Sequence, residues 1–185
     1  MQPTVVDRIH QEFKDLISYL DQGNQPSLRS TVDENFRKAL LLAAASYFEH
    51  RIVNDILIFV RESSSENSLL VEFVNNKAIS RQYHSFFDWN EANANKFFSL
   101  FGTNFKNFIK QELRSNDQLN SSIKAFLEIG RDRNRLVHQD FGTFSLEKTS
   151  DEIYELYKSA LIFVETIPSK LRECLRQNQN QLNNQ

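Results

Sequence analysis

Four glycines and three prolines are all that a chain of 185 residues contains. A fold rich in β-hairpins needs many tight turns, and tight turns draw on those two residues. So few of them restrict the chain to long uninterrupted segments. Within the segments apolar residues recur at helical spacing, so the expected fold class is all-α. Sixteen phenylalanines lie among helix-forming neighbours and provide much of the bulk for an interior. Hydrophobic residues make up 40% and charged residues 25%, as in ordinary soluble globular chains, and the length suits a single domain with a sizeable core.

The periodicity divides the chain as follows. Val5, Ile9, Phe13, Leu16, Ile17 and Leu20 mark a first amphipathic helix over about 4–21. Gly23 to Ser30, containing Pro26, reads as a linker. Thr31-Val32-Asp33-Glu34 has the form of a capping box and is expected to open a long helix over about 31–62. That helix runs through Phe36, Leu40, Leu41, Phe48, Ile52, Ile56 and Phe59, and its alanines 43–45 would let another helix pack closely. A shorter helix is expected over about 66–79. Arg81 to Phe87 shows no pattern. Asp88-Trp89-Asn90-Glu91 is expected to cap a helix that stops at Gly102. Thr103 then starts another, through Phe105, Phe108, Ile109 and Leu113. A further helix is expected over about 117–139 and a loop from Gly142 to Leu146. Thr149 to Glu152 forms a second capping box for the last helix, which Pro168 kinks or restarts and which ends near Arg176. Residues 1–176 then make one helical domain, and the Asn/Gln-rich residues 177–185 are expected to be a disordered tail.

The helix over about 117–139 carries the chemistry. Ile123, Phe126 and Leu127 share one narrow face. Continued towards the C-terminus, that face passes through Gly130, Arg133, Asn134, Val137 and His138. A stripe that begins as core therefore ends in a guanidinium, an amide and an imidazole. Buried polar groups must be paired, so this is either a polar network or a site. Arg133 lies on the apolar side, which a free cation avoids; the plain alternative is an ion pair with Glu128 or Asp132. Asn134 stands four residues before His138 and is placed to bond the imidazole or a phosphate oxygen, or to complete a core network. Arg133 and His138 are five apart, about 140° around an ideal helix. Either the long arginine wraps towards the histidine, or the two bracket a phosphate, or a second subunit completes the pair. Gly130 costs roughly 1 kcal/mol in mid-helix, which the close approach of another backbone, such as a symmetry-related helix, or a local irregularity would explain. Arg131 and Arg135 flank the face, either to track an RNA backbone or as a solvated edge. Glu49 sits at the edge of the apolar face of the long helix.

The run Phe126-Leu127-Glu128-Ile129-Gly130, followed two residues on by Arg133-Asn134-Arg135-Leu136-Val137-His138, resembles the signature helix of HEPN-domain proteins, most closely the RiboL-PSP-HEPN branch. The resemblance extends to the long helix and to Asp140-Phe141-Gly142-Thr143-Phe144 leading into the last helix. It implies a HEPN-like helical bundle with an additional helical insertion between residues 63 and 116. Many HEPN proteins are metal-independent endoribonucleases that serve as toxins, defence effectors or parts of RNA-guided ribonucleases. By the resemblance, Arg133, Asn134 and His138 form the active site, two copies of which meet across a homodimer interface. An acidic residue is frequent at the position of Glu49, where it would orient Arg133 or His138. RNA is the implied substrate, with an antitoxin or inhibitor protein as a further candidate partner. HEPN toxins paired with a nucleotidyltransferase antitoxin carry tyrosine two residues after the histidine; this chain has Asp140, which puts that pairing in doubt. The alternative function is a non-catalytic HEPN module that binds RNA or a protein.

Other classes find little support. The net charge of −2 gives no global basic field, so any RNA site is a local patch. His10, His50 and His84 stand apart, without zinc-like spacing, and there is no Gly-rich phosphate loop or nucleophile elbow, so neither metal nor cofactor is expected. The single Cys174 excludes an internal disulfide and points to a reducing compartment. With no signal-peptide pattern and no apolar run of the ~20 residues a membrane span needs, the expected location is the cytoplasm. An imidazole titrating near neutral pH and a phosphate-binding guanidinium suit cleavage by the ribose 2′-hydroxyl, leaving a 2′,3′-cyclic phosphate.

Overall fold

A computed structural model describes residues 2–183. Its helices are α1 (Val5–Gln22), α2 (Pro26–Ser63), α3 (Ser68–Val74), α4 (Tyr83–Phe86), α5 (Asn95–Ser99), α6 (Gly102–Leu113), α7 (Asp117–His138) and α8 (Ser150–Asn183). No strand occurs among the described residues, and the all-α expectation holds. None of these helices is long and apolar enough to cross a membrane.

The three long helices α2, α7 and α8 enclose the core. Phe48 of α2 meets Phe126 of α7 at 5.6 Å and Tyr157 of α8 at 5.3 Å between ring centroids. All three rings are buried, and each such side chain removes a large apolar area from water. α1 lies across α2 and α8. Its start is fixed by a capping box between Thr4 and Asp7. The same two side chains accept hydrogen bonds from Tyr157 and Tyr154 of α8, both at 2.7 Å. His10 stacks on Tyr154 and pairs with Asp151, which accounts for one of the isolated histidines.

The stretch between α2 and α6 is held differently. Its regular pieces are short, and aromatic rings anchor it. Phe87 stacks on Phe97 at 4.7 Å and reaches Phe126 at 4.8 Å, and Phe126 meets Phe163 of α8 at 5.2 Å. Much of the phenylalanine content is spent here, where few backbone ladders are available.

Several expected boundaries move. α2 begins at Pro26, not Thr31. Proline suits the first helical turn because its missing N–H has no partner there anyway. Thr31 is interior and its hydroxyl donates to the Ser27 carbonyl, so the predicted capping box does not form. The helix expected to Ile79 is α-helical only to Val74, and a π-helical turn follows over Asn75–Ile79. Arg81 to Phe87 contains the short α4. Asp88 caps no helix. Its carboxylate accepts from the Asn90 amide in a turn, and α5 starts only at Asn95. Gly102 begins α6, at a φ of 90°, where it was expected to end a helix. The last capping box does form: the Thr149 amide donates to Glu152 at 2.7 Å, and the Glu152 amide to Thr149 at 3.2 Å. α8 passes through Pro168 without ending and continues beyond Arg176 to Asn183. The tail expected to be disordered is thus helical over residues 177–183, since propagating an established helix is far easier than nucleating one. Residues 184 and 185 lie outside the described residues.

Candidate functional site

α7 is positioned by its apolar face. Ile123, Phe126, Leu127 and Ile129 are buried, as is the backbone of Gly130. Its start is capped by Asn116, whose side chain accepts from the Leu119 amide. One turn past Gly130 the same face becomes half-buried at Arg133 and Asn134, and at Val137 and His138 it is exposed.

Gly130 has a specific neighbour. A Cβ at this position would overlap the six-membered ring of Trp89. The close approach inferred from the glycine is real, but its partner is an indole of the same chain, not the backbone of a second copy. The indole is oriented by its own N–H, which donates to the His84 carbonyl at 3.1 Å.

Beside this contact opens a cavity of about 190 Å³. α2 contributes Phe48 and Glu49 to its wall, α7 contributes Gly130, Arg133 and Asn134, and the connecting segment contributes residues from Arg81 to Trp89. The Arg133 guanidinium donates to the Asn134 carbonyl oxygen at 3.1 Å. It makes no ion pair among the described residues; both candidate carboxylates pair with Lys148 instead, Glu128 at 2.8 Å and Asp132 at 2.7 Å. The ion-pair alternative for Arg133 is therefore overturned. Burial opposes the Lys148 charge, but the bonds to Asp132 and Glu128 outweigh it and raise its pKa.

Glu49 shares the cavity with Arg133 and Asn134, yet forms neither a hydrogen bond nor an ion pair with Arg133 or with any other described residue. Burial, and secondarily the Glu49 charge, push the Tyr83 phenol well above its ordinary value, against the opposing influence of Arg133. Tyr83 thus stands neutral among one anion and one cation. Arg81, at the rim, has a φ of 61°, in the left-handed region that side chains with a Cβ avoid. The wall thus includes a strained residue, and a π-helical turn lies directly before it.

His138 does not line the cavity. It is the last residue of α7, exposed, without a hydrogen-bond partner among the described residues. Asn134 bonds Arg133 and not the imidazole. Arg131 is exposed and unpaired among the described residues. Arg135 leans towards Asp132 at 3.7 Å and lies over the Phe144 ring, so part of its reach is spent within the chain. The structure therefore gathers Arg133, Asn134 and Glu49, and leaves His138, Arg131 and Arg135 on the adjoining surface.

Lys38 also bears on the site, and the sequence analysis passed over it. It is only 1% exposed, donates to the Phe141 carbonyl at 2.8 Å and lies over the Phe141 ring. It thereby pins the loop that leaves His138. Its signal was its place on the stripe of Leu41, Ala45 and Phe48, where a cation is unusual. Trp89 and Tyr83 were missed because the segment that bears them has no helical period.

Among the described residues no group of three or more His, Cys, Asp or Glu side chains is placed to hold a metal ion. A family model described as RiboL-PSP-HEPN matches residues 7–173. No curated protein and no solved structure gives a significant match.

Proposed function

We propose, from the premise that this chain belongs to the RiboL-PSP-HEPN family, that it is a metal-independent endoribonuclease. Membership suggests a nuclease or RNA-related function, and ribonuclease activity is frequent among HEPN proteins. The observation that carries the proposal is the state of Arg133. It is half-buried, bonded to Asn134, and paired with neither neighbouring carboxylate, both of which face Lys148. Its charge is therefore available to a phosphate. About one and a half helical turns further on, His138 presents an unpaired imidazole.

The chemistry follows from those two groups. His138 takes the proton of a ribose 2′-hydroxyl, the 2′-oxygen bonds to the adjacent phosphorus, and the bond from phosphorus to the 5′-oxygen breaks. Arg133 offsets the charge of the phosphorane-like transition state. A second imidazole, from another copy of the chain, protonates the departing 5′-oxygen. The products are a 2′,3′-cyclic phosphate and a free 5′-hydroxyl. The angular separation of Arg133 and His138 favours a homodimer with the two α7 C-terminal ends facing each other; Gly130 no longer adds to that case. Arg131 extends the positive surface along the RNA. In this proposal the protein acts in the cytoplasm as a toxin or defence effector, restrained by an antitoxin or inhibitor of a kind other than a tyrosine-modifying nucleotidyltransferase.

One observation favours the second function, a HEPN module that binds RNA or a protein without cutting: His138 stands outside the cavity that holds Arg133. Cleavage of RNA in EDTA separates the two. An oligonucleotide with one 2′-deoxy sugar at the mapped cut site is expected to resist at that site. Cutting that continues there, or that stops in EDTA and returns with Mg²⁺, rules out the 2′-hydroxyl mechanism. Light scattering that gives a strict monomer at micromolar concentration rules out the shared site.

A further inference from the structure

We infer that the cavity beside Arg133 is a guanine-binding subsite, read by the Glu49 carboxylate. Its volume of about 190 Å³ is too small for a whole nucleotide. Pockets for drug-sized ligands start at about 300 Å³. One planar ring system is the scale that fits. The walls suit such a ring: Trp89 and Tyr83 supply aromatic faces, 5.8 Å apart between centroids and tilted to each other, and stacking on such faces is how single-stranded bases are held.

Glu49 selects the occupant. It is a half-buried carboxylate that no described residue pairs or bonds. An anion there repels phosphate, so the cavity takes the base, and the phosphate stays outside it, by Arg133. A carboxylate accepts two parallel hydrogen bonds through its two oxygens. Of the four RNA bases only guanine sets two N–H donors side by side, at N1 and at the exocyclic N2. Adenine and cytosine place one donor beside an acceptor, and uracil has a single donor between two carbonyls. Asn134 lines the same space, and its amide N–H groups, which its bond from Arg133 leaves free, suit the guanine O6 or N7.

Guanine could come from RNA or from a free guanine nucleotide. Assignment to RNA rests on the ribonuclease proposal, whereas binding of the base does not. Trp89 is the single tryptophan of the chain, so fluorescence excited at the red edge, where tyrosine does not absorb, reports on this wall alone. The full-length protein is titrated with guanosine, inosine, adenosine, cytidine and uridine 5′-monophosphates. GMP is expected to quench Trp89 saturably. Inosine monophosphate keeps N1–H and lacks the N2 amine, and it should bind about tenfold more weakly, the worth of one hydrogen bond to a charged group. AMP, CMP and UMP should fall further. Glu49→Gln should reduce GMP affinity by about tenfold or more and leave AMP unchanged. Equal binding of AMP and GMP, equal binding of GMP and inosine monophosphate, or no saturable quenching overturns the assignment. If Glu49→Gln does not fold, the wild-type comparison of GMP with inosine monophosphate decides. A 2′-O-methyl tetranucleotide with one guanine, which cannot be cleaved by the proposed mechanism, then competes against GMP. Displacement identifies RNA as the source, and failure to displace identifies a free nucleotide. None of these readouts requires cleavage, so loss of the ribonuclease proposal and loss of the guanine subsite are separate results.

Discussion

Gly130 and Trp89 occupy one space: a Cβ on the glycine would overlap the indole. In an unpacked helix, glycine to alanine stabilises by about 1 kcal/mol. Here Gly130→Ala is expected to destabilise instead, by about 1–3 kcal/mol, because the indole must leave and drag its wall with it. Denaturant unfolding gives the sign. Tryptophan emission should shift to longer wavelength as Trp89 gains water. A variant more stable than wild type with unchanged emission would contradict the packing described.

His138 and Arg133 are expected to separate activity from stability. His138 has no partner among the described residues and is exposed, so His138→Ala should change stability by less than about 0.5 kcal/mol. It should nonetheless lower cleavage by about 10²–10⁴-fold, the range of a lost acid or base. Arg133→Ala should also abolish cleavage. Asn134→Ala should fall between wild type and Arg133→Ala, because it frees the guanidinium without removing it. Single-turnover cleavage beside chemical denaturation checks all three. If His138→Ala cuts at the wild-type rate, the imidazole takes no part.

Lys38 holds the loop behind His138 through the Phe141 carbonyl. Lys38→Met keeps the length of the side chain and removes the donor. The carbonyl then loses its partner, at a cost of about 1–3 kcal/mol. Amide exchange should rise over residues 139–144 before it rises in α2 or α8. Uniform loosening of the whole chain would mean that the lysine supports the core generally.

The docking of α1 is expected to be acid-sensitive. Burial opposes ionisation of Asp7, but hydrogen bonds from the Thr4 amide, the Tyr154 hydroxyl and the Thr4 hydroxyl outweigh it and hold the carboxyl below its ordinary value of 3.8. Lys14, then His10, lower the pKa of Asp151 from the same starting value. A carboxyl depressed in the folded state contributes fully above its unfolded value, and that contribution disappears as the pH falls through the lower folded value. Asp7→Asn should therefore be less stable than wild type at neutral pH. The difference should narrow as the pH drops below about 4. A gap that stays constant down to the acid limit would assign the loss to packing instead of charge.

Much of this fold was legible in the periodicity. α1, the body of α2, α7 and the start of α8 came from apolar spacing, and the cap expected at Thr149 forms; the Asn116 cap of α7 was not foreseen. The failures share a physical cause. Residues 75–101 fold by ring-on-ring contact with Phe126 and Phe163, and contact between distant rings leaves no period in the local sequence. Asp88 and Gly102 are residues that suit caps, but Asp88 sits in a turn and Gly102 opens α6 instead of closing a helix. The site was half legible for the same reason. α7 announced Arg133, Asn134 and the crowding at Gly130. It gave no hint that Trp89 was the crowding group, that Lys148 would claim Asp132 and Glu128, or that His138 would stand apart from Glu49.

The wall carrying Arg81, Tyr83 and Trp89 is fastened to α7 by side-chain contacts of Phe87 and Trp89 with Phe126 and of Trp89 with Gly130. Substitutions or length changes in such a segment leave the hydrogen-bond ladders of α2, α7 and α8 intact. The groups on α7 that would handle a phosphate and the rings that would stack its neighbouring base thus occupy different parts of the chain. Selection can alter the second without rebuilding the first, so the stacking wall of the proposed base subsite is free to diverge among chains that share the α7 sequence.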